Sequence, residues 1–536
     1  MIDRILLNAR ITTLNPDRPH ATALAIHRDR VVAVGDDDTI RALAEPHTLI
    51  DNANGRPVIP GLTDAHIHWE GVAQSLKQVD VFEVPAKTEA LRRVAERASQ
   101  TPPGEWIIGR GWTQVIWPDR AFPTAADLDS VAPDNPVYLG AKSGHAAWVN
   151  SAALKFAGIT ASTPDPSGGS IQRDSSGQPT GVLLEDPAMM LVWSQVPHPP
   201  PEQVAPWMAE AQQLAWQAGL TGIHDYDNPG CLAALQILRE RGELGLRVVK
   251  QINAPWIEHA HQLGLHSGFG DDWLRIGSLK IFADGALGPR TALMFEPYEG
   301  EPDNTGITVT DKEDIYELVS RASAAGISSA IHAIGDKAVH DVLDVYEAVR
   351  NEEAARGVPR SARRHRIEHV QLIHPGDARR LGELDIIASM QPIHATSDWE
   401  MAERYWGRRA RWSYNWRAQI EAGARLAFGS DAPVEPFEPL KGIFAAVTRR
   451  RPDGVPGPDG WFPEGRLDMQ AALLGFTQGP AYAAGLEYDL GQLTPGFLAD
   501  LVVLDRDLFT IAPDEILETQ VLGTMIGGIW RHRVFD

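Results

Sequence analysis

The pattern that points most directly to chemistry is Asp64-Ala65-His66-Ile67-His68, which follows the run VIPGLT. On a strand, residues two apart project to the same face, so His66 and His68 point together while Ala65 and Ile67 face the other way. Two imidazoles converging at the C-terminal end of a strand make half of a metal site; the plainer alternative is a hydrogen-bonded pair of core histidines. In LRIGSLKIFADGALG the same alternation puts Ser278, Lys280, Phe282 and Asp284 on one face and Leu279, Ile281 and Ala283 on the other. The apolar set suits a helix-covered side and sends Lys280 inward. An ammonium group is rarely buried without a partner, so either a functional role or an ion pair with Asp284 or Asp431 is expected there. SSAIHAIGD, RHRIEHVQ and RLAFGSDAP present His332, His369 and Asp431, each at the end of an apolar run. Imidazole and carboxylate together suit a catalytic divalent ion such as Zn²⁺, which needs an open position for water.

Such residues need a frame that brings distant segments together. Short β-branched runs separated by helix-length stretches give the rhythm of βαβ units and a parallel sheet. The expected strands are Val58 to His66, Leu220 to Asp225, Arg247 to Asn253, Leu274 to Asp284, Ile327 to Ile334, His365 to Val370, Ile386 to Pro392 and Leu426 to Asp431. Helices are expected at Trp207 to Ala218, Asp311 to Ala325 and Ala338 to Arg350, where apolar residues recur at three and four. The fold class is therefore α/β, a (β/α)8 TIM barrel, and the chemically suggestive residues fall at the strand ends where such barrels keep their active sites. Both chain ends read as turn-punctuated strands that pair into one small accessory β-sandwich domain. The expected division is 1–57 with 486–536 as the split accessory domain, 58–74 with 207–485 as the barrel, and 75–206 as an insertion after the first barrel strand that roofs the barrel mouth.

Taken together, PGLTDAHIH, the strand KIFADGALG, HAIGD, RIEHVQ, GSDAPVEP and the terminal PGFLADLVVLD resemble the amidohydrolase superfamily, and within it the YtcJ-like branch known as amidohydrolase 3. The motifs run in the family's order over nearly the whole chain. The resemblance implies a metal-dependent barrel with His66, His68, Lys280, His332, His369 and Asp431 around one or two ions. It also implies that Lys280 can carry a carboxyl group on its side-chain nitrogen, as an N6-carboxylysine bridging two metals. The two ions would then be held by His66 and His68 with Asp431, and by His332 with His369; without the carbamate a single ion is expected. The reaction implied is hydrolysis of a non-peptide C–N amide bond, with Asp431 taking a proton from water and returning it to the leaving nitrogen. Ester, lactone or cyclic amide hydrolysis at the same centre is the alternative within enzymes, because a fold does not decide the scissile bond. A non-catalytic regulatory or ligand-binding barrel is the alternative outside them.

Weaker signals surround this set. His145 resembles a position lining the substrate pocket in this branch, and Arg290 is placed to reach an anionic or carbonyl group. Trp106, Trp112 and Trp117, like Trp399, Trp406, Trp412 and Trp416, crowd segments expected over the barrel mouth, where they either line an apolar pocket for a hydrophobic or aromatic substrate or simply pack the lid. His259 and His261 form a second H-x-H on a helical pattern, where residues two apart diverge. His224 and His394 are each as consistent with the core as with the site. Across 536 residues, 71 acidic against 49 basic side chains leave a net charge of −22, which argues against nucleic acid and anionic membrane surfaces as partners. The partners left are a small-molecule substrate and other copies of the chain. One cysteine, Cys231, makes no intramolecular disulfide, and no signal peptide or membrane span is evident, so the cytoplasm is the expected location.

Overall fold

The computed structural model describes residues 2–82, 84–142, 146–166 and 169–535. The chain divides into two units, one formed by Met1–Val72 with Val204–Asp536 and the other by Ala73–Gln203. In the first, eight parallel strands follow one another in chain order: β1 (Leu62–Ile67), β2 (Leu220–Asp225), β3 (Arg247–Asn253), β4 (Leu274–Phe282), β5 (Ser329–Ala333), β6 (Arg366–His369), β7 (Ile387–Met390) and β8 (Leu426–Phe428). Covered on both faces, they read as near-continuous apolar runs; every residue of β2 is buried. The helices between them turn one stripe inward. On Asp336–Ala355 the stripe is Val339, Val342, Val345, Tyr346 and Val349.

No ladder joins β8 to β1, and the ring is closed at its C-terminal end by other means. The Asp431 amide donates to the His66 carbonyl at 2.7 Å and the His68 amide to the Ala432 carbonyl at 2.9 Å. Asp64, buried on β1, accepts from the Ser430 amide at 3.1 Å and the Ser430 hydroxyl at 2.5 Å. Gly429 makes this approach possible, since a Cβ there would run into the His66 backbone and the Asp64 carboxylate.

The expected strand from Val58 to His66 proves to be two strands in two sheets. Pro57–Pro60 belongs to a six-stranded accessory sheet, where it pairs antiparallel with Leu501–Leu504, and β1 starts only at Leu62. Gly61 lies between them because a Cβ would collide with Thr221 on β2. The same accessory sheet holds Arg10–Thr12 and His20–Ala21 from one chain end and Val521–Ile526 and Ile529–Arg533 from the other. A second, four-stranded sheet is built from Arg4–Leu7, Ala23–His27, Arg30–Gly35 and Leu49–Asn52.

The inserted unit carries its own six-stranded sheet, from Val79–Asp80 at one edge to Ser170–Arg173 at the other. Its core holds Trp112, Trp117 and Trp148, with ring centroids 6.2 to 6.3 Å apart. Among the described residues no helix is long and apolar enough to cross a membrane.

Candidate metal centre and active site

Six of the side chains picked out from sequence, His66, His68, Lys280, His332, His369 and Asp431, line one cavity of about 350 Å³ at the C-terminal ends of the barrel strands. Asp431 Oδ1 lies 3.5 Å from His66 Nε2 and 3.3 Å from His68 Nε2. His369 joins them: His66, His369 and Asp431 each offer a ligand atom, all within 4.8 Å of one another. In a tetrahedral site with bonds of about 2.1 Å, donors stand roughly 3.4 Å apart, so these separations fit a shared divalent ion.

The tautomers fit as well. His66 Nδ1 donates to Glu368 Oε2 at 2.6 Å, His68 Nδ1 to Asp227 Oδ1 at 3.1 Å, and His369 Nδ1 to Gln391 Oε1 at 2.8 Å. In each case an oxygen holds the proton at Nδ1 and makes Nε2 the nitrogen available to the centre, the arrangement that orients histidine ligands in metal sites. Burial holds His66 down to about 4 despite the charge of Glu368, and holds His332 down to about 3, so both rings are neutral and ligand-competent near pH 7. Burial acts the same way on His68, but hydrogen bonds to Asp227 and Asp431 outweigh it and lift that ring to about 10. An ion between His68 and Asp431 therefore has a proton to displace.

Backbone geometry shows what the site demands of the chain. On β6, Arg366 and Glu368 face the barrel interior, and strict alternation would send His369 outward. Positive φ angles of 77° at His369 and 43° at Val370 turn it into the site instead, and Asp431 is likewise left-handed at 61°. Such conformations cost of order 1–3 kcal/mol for residues with a side chain, and they cluster where function over-determines the backbone. Beneath these rings, Glu368 forms an ion pair with Arg366, whose Nε lies 2.9 Å away, and accepts from the Tyr226 hydroxyl at 2.7 Å, and the Tyr226 ring stacks on His66 with centroids 3.9 Å apart.

Lys280 has neither of the anticipated ion pairs. Its Nζ lies 4.6 Å from the Tyr226 ring centre and 4.5 Å from that of Phe282, and burial lowers the amine to about 8 against the pull of Glu368 and Asp431. Asp284 is committed to the backbone amides of Leu293, Ile334 and Gly335 at 2.8 to 3.0 Å. His332 donates Nε2 to the Gly285 carbonyl at 2.9 Å, and its ring centre is 4.6 Å from that of His369.

The remaining residues fall elsewhere. His145 lies outside the described residues. Trp112 is buried in the core of the inserted unit, its indole N–H bound to the Leu139 carbonyl at 2.8 Å. Arg290 pairs with Glu301 at 2.8 Å, the surface alternative to a substrate contact. Trp406 and Trp416 are fully buried in the barrel core, and Met401 is what the helix Pro392–Trp406 adds to the cavity wall beside His394 and Asp398. Phe282, Leu287, Ile334 and Val434 complete an apolar lining. His259 and His261 are exposed on the helix Ile257–Gln262, and His224 is buried against Arg366 at 3.1 Å. Sequence reasoning missed Glu368, Tyr226, Asp227 and Gln391; for Glu368 and Arg366 a signal existed, two charges two apart on an otherwise apolar barrel strand.

Residues 50–529 match the model of a family described as "Amidohydrolase family". The putative amidohydrolase YtcJ of Bacillus subtilis is 34% identical, covering 90% of this chain and 90% of its own. An N-substituted formamide deformylase of Arthrobacter pascens is 30% identical over 99% of this chain and 98% of its own. Among solved structures, a metal-dependent hydrolase from Pyrococcus furiosus superposes with a TM-score of 0.79 at 30% identity, covering 95% of this chain and all of that one.

Proposed function

Because the chain belongs to the amidohydrolase family, we propose that it hydrolyses the C–N bond of a small N-substituted amide bearing a hydrophobic or aromatic group, with Asp431 as general base and then general acid. The observation that carries this reading is the convergence of three oriented imidazoles on one carboxylate at the wall of a cavity lined by Phe282, Leu287, Ile334, Met401 and Val434. His66, His68, His369 and Asp431 would hold a divalent ion, which would supply Lewis-acid activation of water and of the carbonyl group. Asp431 stands on the cavity wall, where its carboxylate can take a proton from the attacking water and hand it to the departing nitrogen. The apolar walls hold the N-substituent and exclude competing water. The family resemblance to a formamide deformylase supports a formyl or short acyl group on the other side of the bond.

The same reading gives Lys280 a carbamate. Carbamate formation needs a neutral amine to attack CO₂, and the depressed amine at about 8 supplies one. The product is an anion with two oxygen donors in place of a buried, unpaired cation. Intact mass spectrometry under non-denaturing conditions reads the added CO₂ directly.

The deciding experiment is a screen of N-formyl, N-acyl and carbamate derivatives of aromatic amines, with matched esters, on protein of measured metal content. Amide hydrolysis lost on chelation and restored by Zn²⁺ or Mn²⁺ is expected. Activity confined to the esters, or surviving complete metal removal, overturns the proposal.

A further inference from the structure

A fifth histidine reaches the cavity, and its hydrogen bonding runs opposite to that of His66, His68 and His369. His394, on the first turn of Pro392–Trp406, is 6% exposed and lines the cavity. Its Nδ1 faces a donor: the Gln371 side-chain amide nitrogen lies 3.2 Å away. Nδ1 therefore accepts, and the ring proton sits on Nε2. That Nε2 has no hydrogen-bond partner in spite of its burial, and it lies 3.8 Å from Asp431 Oδ2. A buried N–H left unmade is costly, of order 1–3 kcal/mol, which calls for an acceptor that arrives from outside the chain.

Where His66 and His369 present lone pairs, His394 presents a proton. We propose that His394 is a catalytic hydrogen-bond donor to the substrate's carbonyl oxygen, and not a further metal ligand; the inference rests on the amide-hydrolysis reading above. As the water oxygen bonds to the carbonyl carbon, the C=O π pair moves onto oxygen and one water proton goes to Asp431. The His394 N–H meets the charge gathering on that oxygen without transferring its proton. When the pair returns, the C–N bond breaks with its electrons on nitrogen, which takes the proton back from Asp431. A donor aimed at the position of the oxyanion is worth about 10²- to 10³-fold in kcat.

The test compares His394→Ala and His394→Gln with the wild-type holoenzyme. It measures kcat and KM on the best amide, metal content per chain, and calorimetric affinity for the corresponding N-substituted phosphonamidate, whose tetrahedral anion mimics the charged oxygen. Expected for His394→Ala are a kcat lower by about 10²- to 10³-fold, KM within about threefold, an equal weakening of phosphonamidate binding, and unchanged metal content. His394→Gln, which keeps an N–H, recovers part of the loss. A kcat within about threefold of wild type, or a loss of metal in His394→Ala, overturns the inference. If wild type hydrolyses no amide yet binds the phosphonamidate through His394, the functional reading falls and the donor role stands; if it does neither, both fall.

Discussion

Lys250 and Lys280 lie on neighbouring barrel strands, and each is 2% exposed, but their surroundings differ in kind. Lys250 Nζ is 2.9 Å from Asp225, donates to the carbonyls of Asp227 and Gln251, and is held above the ordinary lysine range because Asp225 outweighs the cost of burial. Lys280 has two aromatic rings where Lys250 has a carboxylate, and burial wins. A barrel interior can hold a lysine for structure by completing its hydrogen bonds, or keep it for chemistry by withholding them. Burial alone does not separate the two cases; the partner does.

Replacing each lysine by methionine tests this from opposite directions. Lys280→Met should cost the largest effect, about 10³- to 10⁴-fold in kcat/KM or roughly 4–5.5 kcal/mol of transition-state stabilisation, with partial rescue by small carboxylic acids. In the metal-free, uncarboxylated protein its thermal unfolding midpoint should stay level or rise, since an unpaired buried cation is removed. Lys250→Met should do the reverse, lowering folding stability in urea by about 3–5 kcal/mol by stranding Asp225. A Lys280→Met protein that unfolds as readily as Lys250→Met would erase the distinction.

Asp227 links the two niches, because its carboxylate orients His68 while its carbonyl receives Lys250. Asp227→Asn should weaken metal affinity by about 10- to 100-fold, read by competition with a chelating dye, and leave the fold intact. The smallest effect is expected at Glu353, where the pairing rule recurs beneath β5 and β6. Burial pushes this carboxyl up, but hydrogen bonds and charge from His365, Ser323 and Arg350 outweigh it and bring it from 4.5 to about 2. A depressed carboxylate stabilises the fold fully above its unfolded value and loses that contribution as pH falls from about 4.5 to about 2. Glu353→Gln should therefore lower stability above about pH 4.5, flatten the acid limb within that window, and converge on the wild type below about pH 2.

The strands were legible because burial on both faces makes them continuous apolar runs, and the helices because their stripes recur at three and four. The break at Gly61 was not, since its cause is Thr221, a collision partner on the next strand with no trace in the local pattern. At the site, alternation on β4 was enough to send Lys280 inward. It gives the wrong side for His369, whose orientation is set by two left-handed residues that hydropathy does not encode. Asp227 and Gln391 are partners chosen by tertiary geometry. Trp112 read as a pocket residue because the insertion has a core of its own, and aromatic clustering looks alike in either place.

The ring closure between β8 and β1 carries one more consequence. The backbone hydrogen bonds that join the two strands come from the amides of Asp431 and His68, residues that would also meet the ion proposed above. Occupancy of the centre and integrity of the ring would then be a single equilibrium, in which an ion held by His66 and Asp431 would act as the rung that the sheet does not provide. Amide hydrogen exchange at Asp431 and His68 should slow on metal loading ahead of the amides inside β3 and β4, making the active site the place where the barrel is locked.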